Sequence, residues 1–385
     1  KIMLYALRDQ YDLANLSLIA YYHDQHQTEA SIQACEAALA SGSNQLTILC
    51  KLTELLIEAG QFGAAKERLN QAIAIDPAFL PLFPLRGELW LRSKNYPKAA
   101  AAFKHYVARN PSDHQASMRY AAVLFLNGDY AAAMTEFDHL EKAGVSPALV
   151  QRLKAYSFYE TERFAEAAAT LDRYFTIQAA DRIIATDYVY LGKISLARGK
   201  QAQADEAFGQ AVEMDSEQAA VYQDLSQQYR KEKDYRQQAH YLHLFLLAES
   251  NTQSAEWLQL GKAYYFAQEF EAAQKVFSAL VEEDDEYVAA LYWLGETLRK
   301  AHPNRPQASW QPYFTKVVEL LELESELNDA QTRWMLGSVT ALAIHFYAPE
   351  NPLQKDCEQA VVYLEKLVHL KPDQTAYQLM LDSCR

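Results

Sequence analysis

The composition of this 385-residue chain disfavours several broad classes of fold and function. Glycine and proline number 12 each, about half of their usual share, so turn-rich folds such as β-sandwiches and barrels are disfavoured. Hydrophobic residues make up 50% of the chain, which argues against disorder. The formal net charge of −14 repels a phosphate backbone, so we expect no nucleic-acid partner. Together these values favour an all-α protein.

The first residues of the chain have the sequence pattern of a helix interior. We expect residues 1–10 to end a preceding helix, because they continue the apolar pattern that follows and lack the arrangement of a signal peptide. No stretch reaches the roughly 18 apolar residues that a membrane span requires. We therefore expect no direct insertion into a membrane.

Residues 11–287 carry a regular repeat. Aromatic residues precede alanine-rich segments at intervals of 34, at Phe62, Tyr96, Tyr130 and Phe164. An alanine follows three residues after each of them, at Ala65, Ala99, Ala133 and Ala167. A small residue upstream recurs at nearly the same interval, at Gly87, Ala121, Ala155, Gly192, Ser226, Gly261 and Gly295. The pattern predicts pairs of antiparallel helices that cross closely at the small residues.

These repeats resemble the tetratricopeptide repeat. One unit matches its pattern of W-x2-L-G-x2-Y followed by A-x3-F at Trp257, Leu260, Gly261, Tyr264, Ala273 and Phe277. We count ten units, starting near Tyr11, Leu46, Leu80, His114, Ala148, Ala185, Ala219, Ser254, Val288 and Ala330. The resemblance implies an all-α, right-handed superhelix of stacked helical hairpins over residues 1–385. The pentatricopeptide repeat, which reads RNA, is the main rival, but the acidic charge argues against it.

The C-terminal units depart from the regular pattern. We predict two repeats with loop insertions over residues 288–372. Three prolines (Pro303, Pro306 and Pro312) interrupt the turn of one repeat, and the segment "FYAPENPLQKD" interrupts the turn of the next. Residues 373–385 predict a helix that caps the open end of the core. This tail resembles long tetratricopeptide proteins of Bacteroidota-type bacteria, many of which lie in the cell envelope. The resemblance leaves the envelope and the cytoplasm both open.

The chain lacks the common catalytic and cofactor motifs. It has no P-loop, no G-x-S-x-G and no H-E-x-x-H, so we expect no enzyme, no catalytic residue and no cofactor. The histidine groups at residues 23–26 and 240–243 lack a third metal ligand at a suitable spacing. The acidic run at residues 282–286 lacks the alternation of a calcium loop and reads as a solvated turn. We therefore expect no metal site.

The four cysteines do not form a disulfide framework by their number or spacing. We interpret Cys35, Cys50, Cys357 and Cys384 as buried or incidental thiols, with a Cys35–Cys50 bridge as an unsupported alternative.

Partner-binding residues follow from the resemblance alone. In the tetratricopeptide family, four positions of each first helix line a concave groove. Carried onto this chain, they predict partner contacts at Arg152, Tyr156, Tyr159, Lys193, Gln223, Gln227, Arg230, Lys262, Tyr265 and Tyr292. Tyrosine suits binding surfaces, and arginine and lysine suit an acidic peptide. The lysine–asparagine pair that some family members use to hold chaperone tails does not occur at the corresponding positions.

The first hypothesis is therefore a non-catalytic scaffold that binds a protein or peptide in its concave groove, as a monomer or weak homodimer. A cell-envelope assembly or export component that bridges other subunits is an alternative. A helper domain of a larger enzyme is another.

Overall fold

The computed structural model describes residues 2–42, 45–145, 147–301, 309–347 and 355–385, with side chains from Leu13 onward. Within these ranges the chain forms helices joined by turns and contains no β-strand, which confirms the all-α prediction. No helix in the described ranges is both long enough and apolar enough to cross a bilayer. The chain divides into two compact units, Lys1–Ala207 and Phe208–Arg385.

The first unit is a series of helices paired into antiparallel hairpins. Its helices are α1 (Ile2–Asp24), α2 (Thr28–Ala40), α3 (Gln45–Glu58), α4 (Phe62–Ile75), α5 (Leu82–Arg92), α6 (Tyr96–Val107), α7 (His114–Leu126), α8 (Tyr130–Lys142), α9 (Pro147–Glu160), α10 (Phe164–Ile177) and α11 (Ala185–Ala197). Helix α12 (Gln201–Met214) contains the division between the units.

The second unit continues with helices of similar length. They are α13 (Ala220–Glu232), α14 (Tyr235–Ala248), α15 (Ser254–Phe266), α16 (Phe270–Glu283), α17 (Val288–Ala301), α18 (Gln311–Glu322), α19 (Asp329–Tyr347), α20 (Cys357–Leu370) and α21 (Thr375–Asp382). Pro312 lies in the first turn of α18, where its missing N–H costs nothing. Pro303, Pro306 and most of the second insertion lie outside the described residues.

The first helices of the hairpins begin within two residues of the predicted starts, from Leu46 to Ala330. The predicted boundary at residue 11, between a preceding helix and the first repeat, is not observed. Helix α1 runs without interruption from Ile2 to Asp24. Residues 2–10 therefore belong to the helix that was expected to start the first repeat. One continuous array over the whole chain stays a prediction.

The repeated alanines explain how each hairpin closes. Ala65, Ala99, Ala133, Ala167 and Ala273 all have 0% exposure, as do Phe103, Phe137 and Phe277 four residues after three of them. At Gly87 an added Cβ would lie 2.6 Å from the Phe103 ring, and at Gly295 it would lie 2.5 Å from the Phe314 ring. The glycine therefore makes room for the phenylalanine ring of the second helix, and not for the alanine as the sequence pattern suggested.

Hairpin turns share one backbone feature that the sequence analysis missed. A left-handed residue follows the first helix at His26, Gly60, Lys94, Gly128, Glu162, Gly199, Lys233 and Gln268. Around Lys94, the Asn95 N–H donates to the Trp90 carbonyl at 2.8 Å and the Lys94 N–H to the Leu91 carbonyl at 2.9 Å. This arrangement satisfies carbonyls at the end of α5 and reverses the chain within a few residues.

Replacing Lys94 by glycine is expected to raise the free energy of unfolding by about 0.5–1 kcal/mol. Lys94 has φ 56°, a conformation that glycine adopts without a side-chain clash. Urea denaturation followed by circular dichroism measures the change. Ala101→Gly on the exposed side of α6 is the control, and we expect it to lower stability by a similar amount. The same sign for both variants would contradict the turn assignment.

The cysteine interpretation is wrong in one respect. Cys357 and Cys384 form a disulfide, whereas Cys35 and Cys50 are free and buried. Spacing could not reveal this bridge, because it depends on α20 and α21 folding back on each other across 27 residues.

Candidate functional site

The ten predicted partner-binding residues all lie on first helices of hairpins. Four lie in the first unit, on α9 and α11, and six lie in the second unit, on α13, α15 and α17. The two groups have different surroundings.

In the first unit, the side chain of Asp187 collects hydrogen bonds from several elements. It is 0% exposed, and it pairs with Arg152, whose Nε lies 2.9 Å from Oδ1. The Tyr174 hydroxyl donates to Oδ2 at 2.9 Å, and the Tyr156 hydroxyl donates to Oδ1. The backbone N–H of Ile184 also donates to Oδ2, at 2.9 Å. The carboxylate therefore ties α9, α10 and the start of α11 together.

This network gives Arg152 and Tyr156 a structural role. The side chain of Arg152 is 16% exposed, and its charge is balanced by Asp187. Tyr156 is 4% exposed, and its pKa is raised because burial and the Asp187 carboxylate both disfavour the phenolate. Arg152 binds Asp187 of α11, and Tyr190 of α11 stacks on Tyr156, so both residues hold α9 against α11.

Tyr159 and Lys193 lie beside a tyrosine that the prediction missed. Tyr190 stacks on Tyr156 with ring centroids 3.7 Å apart, and Tyr159 meets its edge at 5.7 Å. The Tyr190 hydroxyl donates to Glu160 Oε1 at 2.8 Å. The Lys193 ammonium lies 5.6 Å from the centroid of the Tyr190 ring. These side chains are partly exposed, so a contact with a partner stays a prediction for Tyr159 and Lys193.

In the second unit, Lys262 lies over an aromatic surface and has no acidic partner among the described residues. Its ammonium is 5.5 Å from the centroid of the Trp293 ring, and Tyr265 and Phe266 meet that ring edge-on at 5.1 and 5.7 Å. No carboxylate in the described parts of the chain lies within ion-pair distance of Lys262. The pKa of Lys262 is lowered because of its burial and, secondarily, the charge of Arg230. We call Arg230, Lys262, Tyr265 and Trp293 the Lys262 patch.

Helix α13 presents a polar row near this patch. Gln223, Gln227 and Arg230 are spaced four and three residues apart, so they share one side of the helix. All three side chains are exposed. The row can therefore offer amide and guanidinium donors to a ligand that reaches Lys262.

Helix α17 differs, because its arginine is already neutralised. Glu296 is 8% exposed and accepts from Arg299 Nη2 at 2.8 Å, while the Tyr265 hydroxyl approaches it at 3.4 Å. Tyr292 packs over Gly337, and burial raises the pKa of Tyr292 to about 12. Tyr292 is therefore largely a packing residue, whereas Lys262 has no ion-pair partner among the described residues.

The histidines and the acidic run have structural surroundings. His23 Nε2 lies 2.9 Å from Glu58 Oε2, and His243 Nδ1 lies 2.8 Å from the Tyr264 hydroxyl. The acidic run forms the turn between α16 and α17, where Asp285 pairs with Lys316 at 2.6 Å. In the ranges described above, no three histidine, cysteine or acidic side chains converge as metal ligands would.

A pocket in the second unit shares no residue with the Lys262 patch. Its volume is about 1040 Å³, and His243, Trp257, Tyr264 and the α16 side chains Val276 and Leu280 contribute to its lining. The polar atoms of His243 and Trp257 are hydrogen-bonded within the protein, to Tyr264 and Thr252. The pocket lies apart from the predicted partner-binding residues, none of which contributes to its lining.

Hairpins with a small residue at the crossing and a buried alanine–phenylalanine pair in the second helix define a helical-repeat protein. Residues 85–144 and 258–311 match the family model of the tetratricopeptide repeat. Over these two stretches the chain is similar to tetratricopeptide repeats. No curated protein matches the chain.

Several solved structures are similar to this chain. The C-terminal part of a tetratricopeptide-repeat protein from Cytophaga hutchinsonii is 20% identical with a TM-score of 0.38, over 69% of this chain and 99% of the other. A tetratricopeptide-repeat protein from Parabacteroides merdae is 14% identical with a TM-score of 0.43, over 75% and 99%. The type IV pilus biogenesis factor PilW is 16% identical with a TM-score of 0.36, over 64% and 96%. Similarity at this level leaves the partner of this chain open.

Proposed function

We propose that this chain is a non-catalytic protein-interaction scaffold and that the Lys262 patch binds an acidic segment of a partner protein. The observation that carries the proposal is the unmatched charge of Lys262. Its ammonium is partly buried and lies over Trp293, and the positive charge of Arg230 acts on it in addition. A cation in such a position lacks the carboxylate that would compensate its lost hydration.

A partner's carboxylate would supply what Lys262 lacks. It would form a charge-assisted hydrogen bond with the ammonium and would relieve the repulsion between Lys262 and Arg230. Because the aromatic rings already hold the lysine in place, little side-chain entropy is lost on binding. The same argument excludes Arg152 and Arg299 as primary contacts, since Asp187 and Glu296 already neutralise them.

Apolar contact would come from the rings around Lys262. Phe266 is 49% exposed and lies against Trp293, and Tyr265 is partly exposed beside it. Aromatic side chains are enriched at protein–protein interfaces. We therefore expect the bound segment to combine acidic residues with at least one apolar side chain.

Lys262→Glu is expected to weaken binding of acidic peptides at least tenfold. The test is a fluorescence-anisotropy screen of labelled peptides that combine Asp or Glu with Leu or Phe, against a matched set with Lys in place of the acids. Wild-type protein should bind members of the acidic set, and its affinity should fall as salt rises. Arg230→Glu should act in the same direction with a smaller effect, because Arg230 is exposed.

Lys275→Glu is the matched control. It makes the same change of charge at an exposed position of α16, outside the Lys262 patch. Equal losses for Lys262→Glu and Lys275→Glu would indicate an effect of net charge alone. Unchanged affinity in Lys262→Glu, or binding of the basic set only, would overturn the proposal.

The bridging alternative predicts a different result. A component that joins subunits of a cell-envelope assembly would be recovered from its native organism together with folded partner proteins. That recovery would survive Lys262→Glu, because the contacts would be spread over a larger surface. A pull-down with wild-type and Lys262→Glu protein therefore separates the two functions.

A further inference from the structure

We infer that the Cys357–Cys384 disulfide is a redox latch, which holds α21 against α20 when oxidised and releases α21 when reduced. Cys357 is the first residue of α20, and Cys384 lies two residues beyond the end of α21. The bridge therefore connects the start of one helix with the last turn of the chain described here. Both cysteines are partly exposed, so a reductant can reach them.

Helix α21 has few other restraints. It is 8 residues long, well below the roughly 12–15 residues that an isolated helix needs in water. Leu381 is its one buried side chain, at 3% exposure, whereas Leu379 is 69% exposed. Tyr377 and Met380 are only partly buried, and just beyond the helix Ser383 forms a hydrogen bond of 2.9 Å with Tyr347 and Arg385 an exposed ion pair with Glu365. Exposed polar contacts of this kind stabilise little.

Release of α21 would uncover apolar surface. Leu381 belongs to the same hydrophobic cluster as Leu364 and Leu367 of α20, which are both 0% exposed. Tyr377 and Met380 pack partly against this cluster as well. The reduced protein would therefore present a hydrophobic strip on α20 that the oxidised protein covers.

Reduction proceeds by two thiol–disulfide exchanges with a dithiol reductant. A thiolate of the reductant attacks one sulfur of the bridge, forms a mixed disulfide, and expels the other cysteine as a thiolate that takes up a proton. The second reductant thiolate then breaks the mixed disulfide and frees the remaining cysteine. Two electrons pass to the protein sulfurs, and the reductant leaves as a disulfide.

The other two cysteines stay outside this exchange. Burial raises the pKa of Cys35 to about 12 and that of Cys50 to about 11, so neither supplies a thiolate near neutral pH. The redox chemistry is thus confined to the C-terminal bridge. Because such a bridge persists in oxidising surroundings, the latched form is the one expected in an oxidising compartment.

Thiol counting and hydrogen exchange test the latch. Purified, air-oxidised protein unfolded in guanidinium should show two free thiols, and four after reduction. Native-state hydrogen exchange should accelerate at least tenfold in α21 when the protein is reduced with dithiothreitol, with α15 and α16 unchanged. Cys384→Ser should exchange fast in α21 without reductant, whereas Cys35→Ala should keep the reductant response.

Four free thiols in the oxidised protein would overturn the proposal, because no bridge would then exist. Unchanged exchange in α21 after reduction would also overturn it, since noncovalent contacts would suffice. Faster exchange throughout the second unit would mean that the bridge supports the whole unit and is no local latch.

Discussion

Asp187→Ala is expected to lower the free energy of unfolding by about 3–5 kcal/mol, the typical effect of removing one partner of a buried ion pair. The substitution leaves the guanidinium of Arg152 without a carboxylate and removes the acceptor for the hydroxyls of Tyr156 and Tyr174. It also removes the acceptor for the Ile184 N–H at the start of α11. All these groups would be left in a poorly hydrated interior.

Chemical denaturation followed by circular dichroism measures this loss. Asp172→Ala is the matched control, because Asp172 is an exposed aspartate on α10, and we expect a change within about 0.5 kcal/mol. A double replacement of Arg152 and Asp187 by methionine and leucine should cost less than Asp187→Ala, since it leaves no uncompensated charge. Equal effects of Asp187→Ala and Asp172→Ala would show that the network is not a determinant of stability.

Gly261→Leu is expected to lower the free energy of unfolding by about 1–3 kcal/mol through overpacking. Even a Cβ at this position would overlap the Phe277 ring, with 2.7 Å to its Cζ. Phe277 is 0% exposed and has no room to withdraw. The two helices of the hairpin would therefore have to separate, and near-ultraviolet circular dichroism should report the loss of aromatic packing as well.

Gly209→Ala serves as the opposing control. Gly209 lies within α12, and an added Cβ would have no neighbour within 4 Å among the described atoms. We expect this variant to be about 0.5–1 kcal/mol more stable, because alanine favours the helix. Loss of stability in Gly209→Ala, or none in Gly261→Leu, would contradict the assignment of the crossing glycines.

The fold was predictable because the same local sequence pattern recurs many times along the chain. A small residue, an alanine three positions after an aromatic residue, and a phenylalanine four positions later recur with a period near 34. Each copy specifies the same hairpin, so helix starts such as His114, Ala185 and Ser254 coincide with the observed helices. The left-handed turn residues escaped prediction, since Lys94 and Gln268 carry no sequence signal for positive φ.

The candidate site was predictable only in part. Carry-over of the family positions placed Gln223, Gln227 and Arg230 on α13, where all three side chains are exposed. It could not distinguish Lys262, which has no carboxylate partner in the described residues, from Arg152, which is neutralised by Asp187 from another hairpin. The two positions look alike in sequence, because the partner of Arg152 lies 35 residues away.

The sequence alone thus determined the class of fold and the absence of turn-rich architecture, because both depend on composition and on a short period along the chain. Tertiary structure alone decided which cations are unmatched, which tyrosines are buried, and that Cys357 meets Cys384. These properties depend on distances between different hairpins. A repeat pattern specifies each hairpin closely, but the Arg152–Asp187 ion pair and the Cys357–Cys384 bridge join residues of different structural elements.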